Sequence, residues 1–241
     1  MTVLILGGTT EARALAGVLP DGTVISSLAG RTSSPLLPAG EVRIGGFGGV
    51  DGLVAFLRER RVDVLVDATH AFAERISANA AAAATAAGIP LLVLRRPGWT
   101  EQAGDDWRRV PDLASAAALL PRLGRRIFLT TGRQGIAAFA GLDACWFLAR
   151  SVEPPAPPMP RQLEVVLDRG PFTVEGESRL LREHRIDVLV SKDSGGSDAK
   201  LVAARQQGIP VVLVDRPPAP PAAATVGAVD EAVAWLKAAA R

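Results

Sequence analysis

A stretch of 17 residues occurs twice in this chain. Residues 50–66, VDGLVAFLRERRVDVLV, align without a gap on residues 174–190, VEGESRLLREHRIDVLV, with 10 of 17 positions identical. The same offset of 124 carries Val3-Leu4-Ile5-Leu6 onto Ile127-Phe128-Leu129-Thr130, and Gly8 onto Gly132. Both copies then run on to Gly-Ile-Pro and Arg-Pro, at Gly88 and Arg96-Pro97 and again at Gly208 and Arg216-Pro217, where the offset has fallen to 120. The first copy therefore holds a loop four residues longer. A chain of this kind is expected to form two related halves facing a ligand cleft, with its chemistry where the copies differ.

Each copy alternates short β-branched runs with helical stretches. VLILG, VISSL, VRIG, VDVLVDA and LLVL read as strands of the first copy, with TEARALAGVL, VDGLVAFLRERR and AERISANAAAAATAAG as the helices between them. The second copy reads RIFLTT, ACWFLAR, LEVVLD, IDVLVSK and VVLV, with GIAAFAGL, VEGESRLLREHR and SDAKLVAARQQG between. Continuous apolar strands alternating with helices predict an α/β fold, with a parallel sheet covered on both faces and right-handed crossovers. A weaker helix closes each half, DLASAAALL in the first and VDEAVAWLKAAA in the second. The boundaries expected are residues 1–97, residues 98–221, and a strand and helix over 222–241 whose domain is left open. The polar stretch Pro97–Asp106 reads as the linker, and Glu153–Pro160 and Pro217–Pro221 as rigid Pro-rich loops.

Composition narrows the function. With 241 residues and 48% hydrophobic content the chain can bury a sizeable core. No run approaches the roughly 18–20 apolar residues of a membrane helix. Met1 leads directly into a strand-like run with no export signal, so the cytoplasm is the expected compartment. The single cysteine, Cys145, lies in an apolar setting and is expected to be buried. Of the 27 basic residues 24 are Arg, which suits an anionic small ligand, whereas no basic run argues for nucleic acid. No strand or coiled segment is marked for self-pairing, so a monomer is expected.

In an open α/β sheet, ligands bind beyond the carboxyl ends of the strands. Gly7-Gly8-Thr9-Thr10-Glu11 directly follows the first strand and opens a helix, as a phosphate cradle would. Thr9 stands where a dinucleotide fingerprint has its second Gly, so a plain tight turn is the competing reading. Thr131-Gly132-Arg133-Gln134 matches it in the second copy, where Arg133 either meets an anion or is a solvated loop residue. Gly30-Arg31-Thr32 follows the second strand. A sheet of this kind that reads NAD usually has Asp or Glu there, whereas an Arg with hydroxyls suits the 2′-phosphate of NADP. The corresponding Glu153-Pro154-Pro155 would repel a phosphate. After the best-matched strand the copies diverge again, into Asp67-Ala68-Thr69-His70-Ala71 and Ser191-Lys192-Asp193-Ser194-Gly195-Gly196. His70 at a strand end is a candidate donor or a structural histidine, and Lys192 is one of three lysines in the chain. No His, Cys or carboxylate grouping has metal-ligand spacing, and no nucleophile elbow is present.

The set LILGGTTEARALA, DATHAFAERISANA, TTG, RGPF and SKDSGGSDAKLVAAR followed by GIPVVLVDRP resembles the precorrin-6A reductases, the NADPH-dependent enzymes of cobalamin biosynthesis. The resemblance spans nearly the whole chain in order. One departure is Ala71, where the family commonly has Pro after the His.

The resemblance implies two Rossmann-like domains, with NADPH on the N-terminal one and a tetrapyrrole in the cleft. It implies hydride delivery to a ring double bond of precorrin-6A, giving precorrin-6B. Under it, Gly7, Gly8, Thr9, Thr10 and Glu11 serve the pyrophosphate side, and Gly30, Arg31 and Thr32 the 2′-phosphate. Ala68 and Thr69 flank the nicotinamide with His70. Arg133, Ser191, Ser194 and Gly195 hold substrate, and His70, Lys192 and Asp193 are the candidates for catalysis. Two rivals stay open at this point: a non-catalytic NADP(H)-binding sensor, and a reductase of another bulky conjugated acid.

Overall fold

The computed structural model describes residues 1–30 and 36–240. Its elements in order are β1 (Val3–Leu6), α1 (Thr10–Val18), β2 (Val24–Leu28), β3 (Glu41–Ile44), α2 (Val50–Glu59), β4 (Val64–Asp67), α3 (Glu74–Ala87) and β5 (Leu91–Leu94). They continue with β6 (Trp107–Val110), α4 (Leu113–Leu119), β7 (Arg126–Leu129), β8 (Trp146–Ser151), β9 (Leu163–Leu167), α5 (Val174–Glu183) and β10 (Val188–Lys192). Last come α6 (Ala199–Gln206), β11 (Val211–Val214), β12 (Ala224–Val226) and α7 (Val229–Ala239).

Two compact units result. The first comprises Met1–Pro97 with Pro217–Arg241, the second Gly98–Arg216. The segment 217–221, read from sequence with the second half, thus travels with the first unit. Each unit holds one six-stranded sheet, ordered β3-β2-β1-β4-β5-β12 in the first and β9-β8-β7-β10-β11-β6 in the second, every pairing parallel. Five strands of each sheet come from one copy of the repeat. The sixth is exchanged: β6 follows the first copy but pairs with β11, and β12 follows the second copy but pairs with β5.

The central strands are apolar because helices cover both faces. Every residue of β1, β4, β5 and β11 is buried. On one face of the first sheet Leu15, Val66, Leu94 and Leu236 pack together, so α1 and α7 share that side. On the other, Leu4, Leu53, Leu57, Leu65 and Ala80 bring in α2 and α3. Phe128, Leu148, Leu181, Leu189 and Leu201 form the matching layer in the second unit. Each fully buried Leu stabilises by about 1.5–3 kcal/mol. Cys145 is buried, as its apolar neighbours imply. Among the described residues no helix is long and apolar enough to cross a membrane.

Two local readings change. GIAAFAGL was expected to be an α-helix; the segment is a 3-10 helix over Arg133–Phe139. Gly135 lets this segment lie directly against the preceding loop, because a Cβ there would lie 2.6 Å from Oγ1 of Thr131. The strand β6 went unread, since WRRV is an edge strand whose two arginines are exposed and break the apolar run.

Candidate active site

In each sheet the order reverses between two central strands, β1 and β4 in the first unit and β7 and β10 in the second. Loops leaving such a pair at their carboxyl ends frame the crevice where open α/β sheets take ligands. The repeat therefore sets four loops at equivalent places, and their side chains decide what each unit can do.

In the first unit the turn between β1 and α1 is built by Gly7, Gly8 and Thr9. A Cβ on Gly7 would sit 3.3 Å from Cβ of Ala12, so glycine lets the helix approach the strand closely. Gly8 has φ +110°, and a Cβ on it would meet nothing within 4 Å. Thr9 is the N-cap: its Oγ1 accepts from the Ala12 amide at 3.1 Å and donates to the Ala68 carbonyl at 2.7 Å. The hydroxyl proton is thereby committed to joining the two loops, and what the turn offers an anion is its backbone. The first amides of α1 have no partner within the helix, and its dipole favours negative charge there. An open glycine turn under a helix N-terminus fits a dinucleotide pyrophosphate. Thr9→Ala removes the cap and the tie together and is expected to lower stability by about 1–2 kcal/mol in chemical denaturation, with Thr9→Ser close to wild type.

Glu11, in the first turn of α1, pairs with Arg96 at 3.0 Å. Thr10 Oγ1 accepts from Arg13 at 3.3 Å. Gly30 has φ +68°, a conformation that favours glycine. The expected 2′-phosphate residues Arg31 and Thr32 lie outside the described residues. After β4, buried Asp67 accepts from the amide and hydroxyl of Thr69 at 3.1 and 2.7 Å, which fixes the Thr69 rotamer. His70 is exposed; its Nδ1 accepts from the Phe72 amide at 3.3 Å, and the two rings lie 5.8 Å apart. Beside them is a cavity of about 410 Å³, bounded by Thr69, His70, Glu74, Ser77 and Arg95 and walled by Pro217–Pro221. It lies over β4 and β5, to one side of the β1 turn.

In the second unit Ser191 and Lys192 end β10. Ser191 is buried, and burial lowers the pKa of Lys192 below the ordinary lysine range. Ser194 donates its amide to the Lys192 carbonyl at 2.7 Å, and Gly195 and Gly196 follow with φ +67° and +81°. Arg133, expected at the substrate, pairs with Glu153 at 2.6 Å. The acid that would repel a phosphate thus holds the arginine of the neighbouring loop.

Asp193 has a structural task. Its carboxylate accepts from the Trp99 amide at 3.0 Å, from Arg109 at 2.9 Å and from Arg216 at 3.5 Å. Burial alone would raise its pKa, but the Arg109 hydrogen bond, the Trp99 amide and the two guanidinium charges outweigh that and hold it below the usual range. A carboxylate so held gives up no proton near neutrality. Gly98 permits the approach, because a Cβ there would lie 2.9 Å from the carboxylate. Neither Trp99 nor Arg109 was singled out from sequence. The repeated Arg-Pro at Arg96 and Arg216 was the one available sign, and both arginines indeed pair with an acid of a switch-point loop.

Two doubly wound parallel sheets, one carrying a glycine turn and helix N-terminus at its switch point, define a duplicated Rossmann-like α/β protein. The chain belongs to the precorrin-6x reductase CbiJ/CobK family, whose model matches residues 2–237. Membership makes it an oxidoreductase. It is 58% identical to the precorrin-6A reductase of Rhodococcus erythropolis, across 97% of this chain and 96% of that one. It is 51% identical to the precorrin-6A reductase of Mycobacterium tuberculosis, across 97% and 96%. A solved structure of CobK precorrin-6A reductase superposes with a TM-score of 0.91 at 44% identity, covering 99% of this chain and 97% of that one.

Proposed function

We propose that the chain reduces a carbon–carbon double bond of precorrin-6A to give precorrin-6B in cobalamin biosynthesis, with NADPH as reductant. The supporting observation is the open glycine turn under α1 at the first switch point, in a chain of this family. Bound there, NADPH supplies the hydride. Gly7, Gly8 and the amides of Thr9, Thr10 and Glu11 hold the pyrophosphate. Gly30, Arg31 and Thr32 take the 2′-phosphate, while Ala68, Thr69 and His70 line the nicotinamide side. In the second unit Ser191, Ser194 and Gly195 shape the loop that meets substrate, and Arg133 lies at its edge.

Lys192 is the proton source in this reading. Its lowered pKa brings the ammonium nearer to the working range of a general acid, whereas Asp193 serves by fixing the loop. The protein's main tasks are then to position two ring systems and exclude water.

Mixing purified protein with precorrin-6A and NADPH should give loss of absorbance at 340 nm in step with a change in the tetrapyrrole spectrum, with NADH much poorer. Tight NADPH binding without oxidation would favour the sensor reading. Arg31→Ala is expected to weaken NADPH by roughly 10- to 150-fold, the worth of a charge-assisted contact, and to leave NADH nearly unaffected. Equal losses for both cofactors would remove Arg31 from the 2′-phosphate site.

A further inference from the structure

The chain passes from one unit to the other twice, after Pro97 and after Arg216, and both passages fall on the repeated Arg-Pro. The two arginines take different partners. Arg96 Nη1 reaches the Glu11 carboxylate at 3.0 and 3.3 Å, on the turn assigned to the cofactor. Arg216 reaches the loop after β10: its Nε donates to the Asp193 carbonyl at 3.0 Å, and its Nη2 lies 3.5 Å from Oδ1 of the same residue. Each passage therefore starts from a ligand loop of the unit it leaves.

The far ends are fastened as well. Beyond Pro97 the Trp99 amide donates to Asp193 Oδ1 and the Trp99 indole to the Gly196 carbonyl, each at 3.0 Å. Beyond Arg216 the Pro217 carbonyl accepts from Arg95 at 2.6 Å. Asp193 thus holds both passages in the second unit, while the adjacent Arg95 and Arg96 hold Pro217 and Glu11 in the first. Little slack is left in the first passage. Pro97 has a fixed φ, and Gly98 lies so close to the Asp193 carboxylate that a Cβ would come within 2.9 Å of it. The three residues from Arg96 to Trp99 span at most about 10–11 Å, so a displaced Arg96 draws Trp99 with it.

We propose that Arg96 and Trp99 are positioning residues that couple the two ligand loops, so that cofactor at the glycine turn and tetrapyrrole at the Ser191–Gly196 loop each strengthen the binding of the other. The inference rests on the ligands given under the proposed function. A pyrophosphate on the first amides of α1 puts new negative charge beside Glu11, and a guanidinium makes strong charge-assisted bonds to phosphate. The Arg96 and Glu11 side chains are 29% and 23% exposed, so the guanidinium can turn from one anion to the other without stranding a buried ion. That turn is passed through Pro97 to Trp99, whose amide and indole set Asp193 and Gly196 on either side of Ser194 and Gly195. A loop already set by the cofactor need not be ordered again by the tetrapyrrole, which gives the coupling its positive sign.

Coupling is read by calorimetric titration as the ratio of NADP+ dissociation constants without and with saturating precorrin-6A. The oxidised cofactor has no hydride to give, so both ligands bind without turnover. Full-length wild type should show a ratio of about 5- to 150-fold, and the same ratio when precorrin-6A is titrated without and with NADP+. Two glycines inserted between Pro97 and Gly98 slacken the first passage and keep every tie. In that variant each ligand alone should bind as in wild type, and the ratio should fall to about one. Arg96→Gln should lose the ratio too, while Arg96→Lys, which keeps the charge beside Glu11, and Trp99→Phe, which keeps the amide, should each retain part of it. A merely structural role for these residues would lower thermal midpoint and both affinities together and leave the ratio as it is. A wild-type ratio of about one, or an undiminished ratio in the insertion variant or in Arg96→Gln, would overturn the coupling and leave the proposed function standing. Wild-type protein that binds neither NADP+ nor precorrin-6A would overturn the proposed function, and the coupling with it.

Discussion

Asp193→Ala should lower the stability of the second unit by about 3 kcal/mol, the low end of the range for breaking a buried ion pair. The carboxylate is buried, whereas Arg109 and Arg216 are partly exposed, so water recovers part of the loss. Two guanidinium groups lose their common partner, and the Trp99 amide loses its acceptor. The measurement is urea unfolding followed by tryptophan fluorescence, with Arg109→Ala and Arg216→Ala each expected to fall between the variant and wild type. Because the folded pKa of Asp193 is depressed, its contribution is complete above the unfolded carboxylate range and is lost as pH falls through the folded value. Wild-type stability should therefore decline steeply in acid, and the alanine variant should decline less. Parallel acid curves for the two proteins would mean that the carboxylate adds nothing.

Under the proposed mechanism Lys192→Met should reduce kcat by about 100- to 1,000-fold, within the range expected for loss of a positioned general acid. Thermal stability should change little or rise, since Met keeps the buried length and sheds the cost of desolvating an ammonium. Binary NADPH affinity should be unaltered. In wild type kcat should fall as pH rises through the lowered Lys192 pKa, because the acid form is the active one. That limb should be missing from the residual activity of the variant. A normal kcat in Lys192→Met would return the lysine to a structural role, and a normal pH profile with reduced kcat would leave it as a positioning group.

The sheets were legible because strands covered on both faces appear as apolar runs: VLIL, LLVL and VVLV are apolar and buried throughout, and VLVD is broken only by the buried Asp67 at its carboxyl end. The edge strand β6 was hidden by its exposed arginines, and no local signal marks the exchange of terminal strands. DLASAAALL and VDEAVAWLKAAA each look like the end of their own copy, since pairing partners are a property of the sheet. At the site, the glycine turn and the Ser191–Gly196 loop could be found as strand-end departures from the repeat. The duties of their side chains could not. Thr9 is held by Ala68, and Asp193 by residues 84 and 94 positions away in sequence and by Arg216. Charge complementarity over such distances leaves no periodicity to read. Arg133 and Glu153 show the same limit at shorter range, 20 residues apart.

The exchange of β6 and β12 also dictates an order of events during synthesis. Domains generally fold as units while the chain emerges, N-terminal first. Here that rule inverts. When residue 97 has left the ribosome, the first sheet still lacks the edge β12 and the cover of α7, whose Leu236 is 1% exposed in the finished protein. The second unit, one continuous segment from Gly98 to Arg216, has all its parts sooner. The unit begun first is thus the one completed last, and its glycine turn gains a complete, covered sheet beneath it only when β12 and α7 have been made.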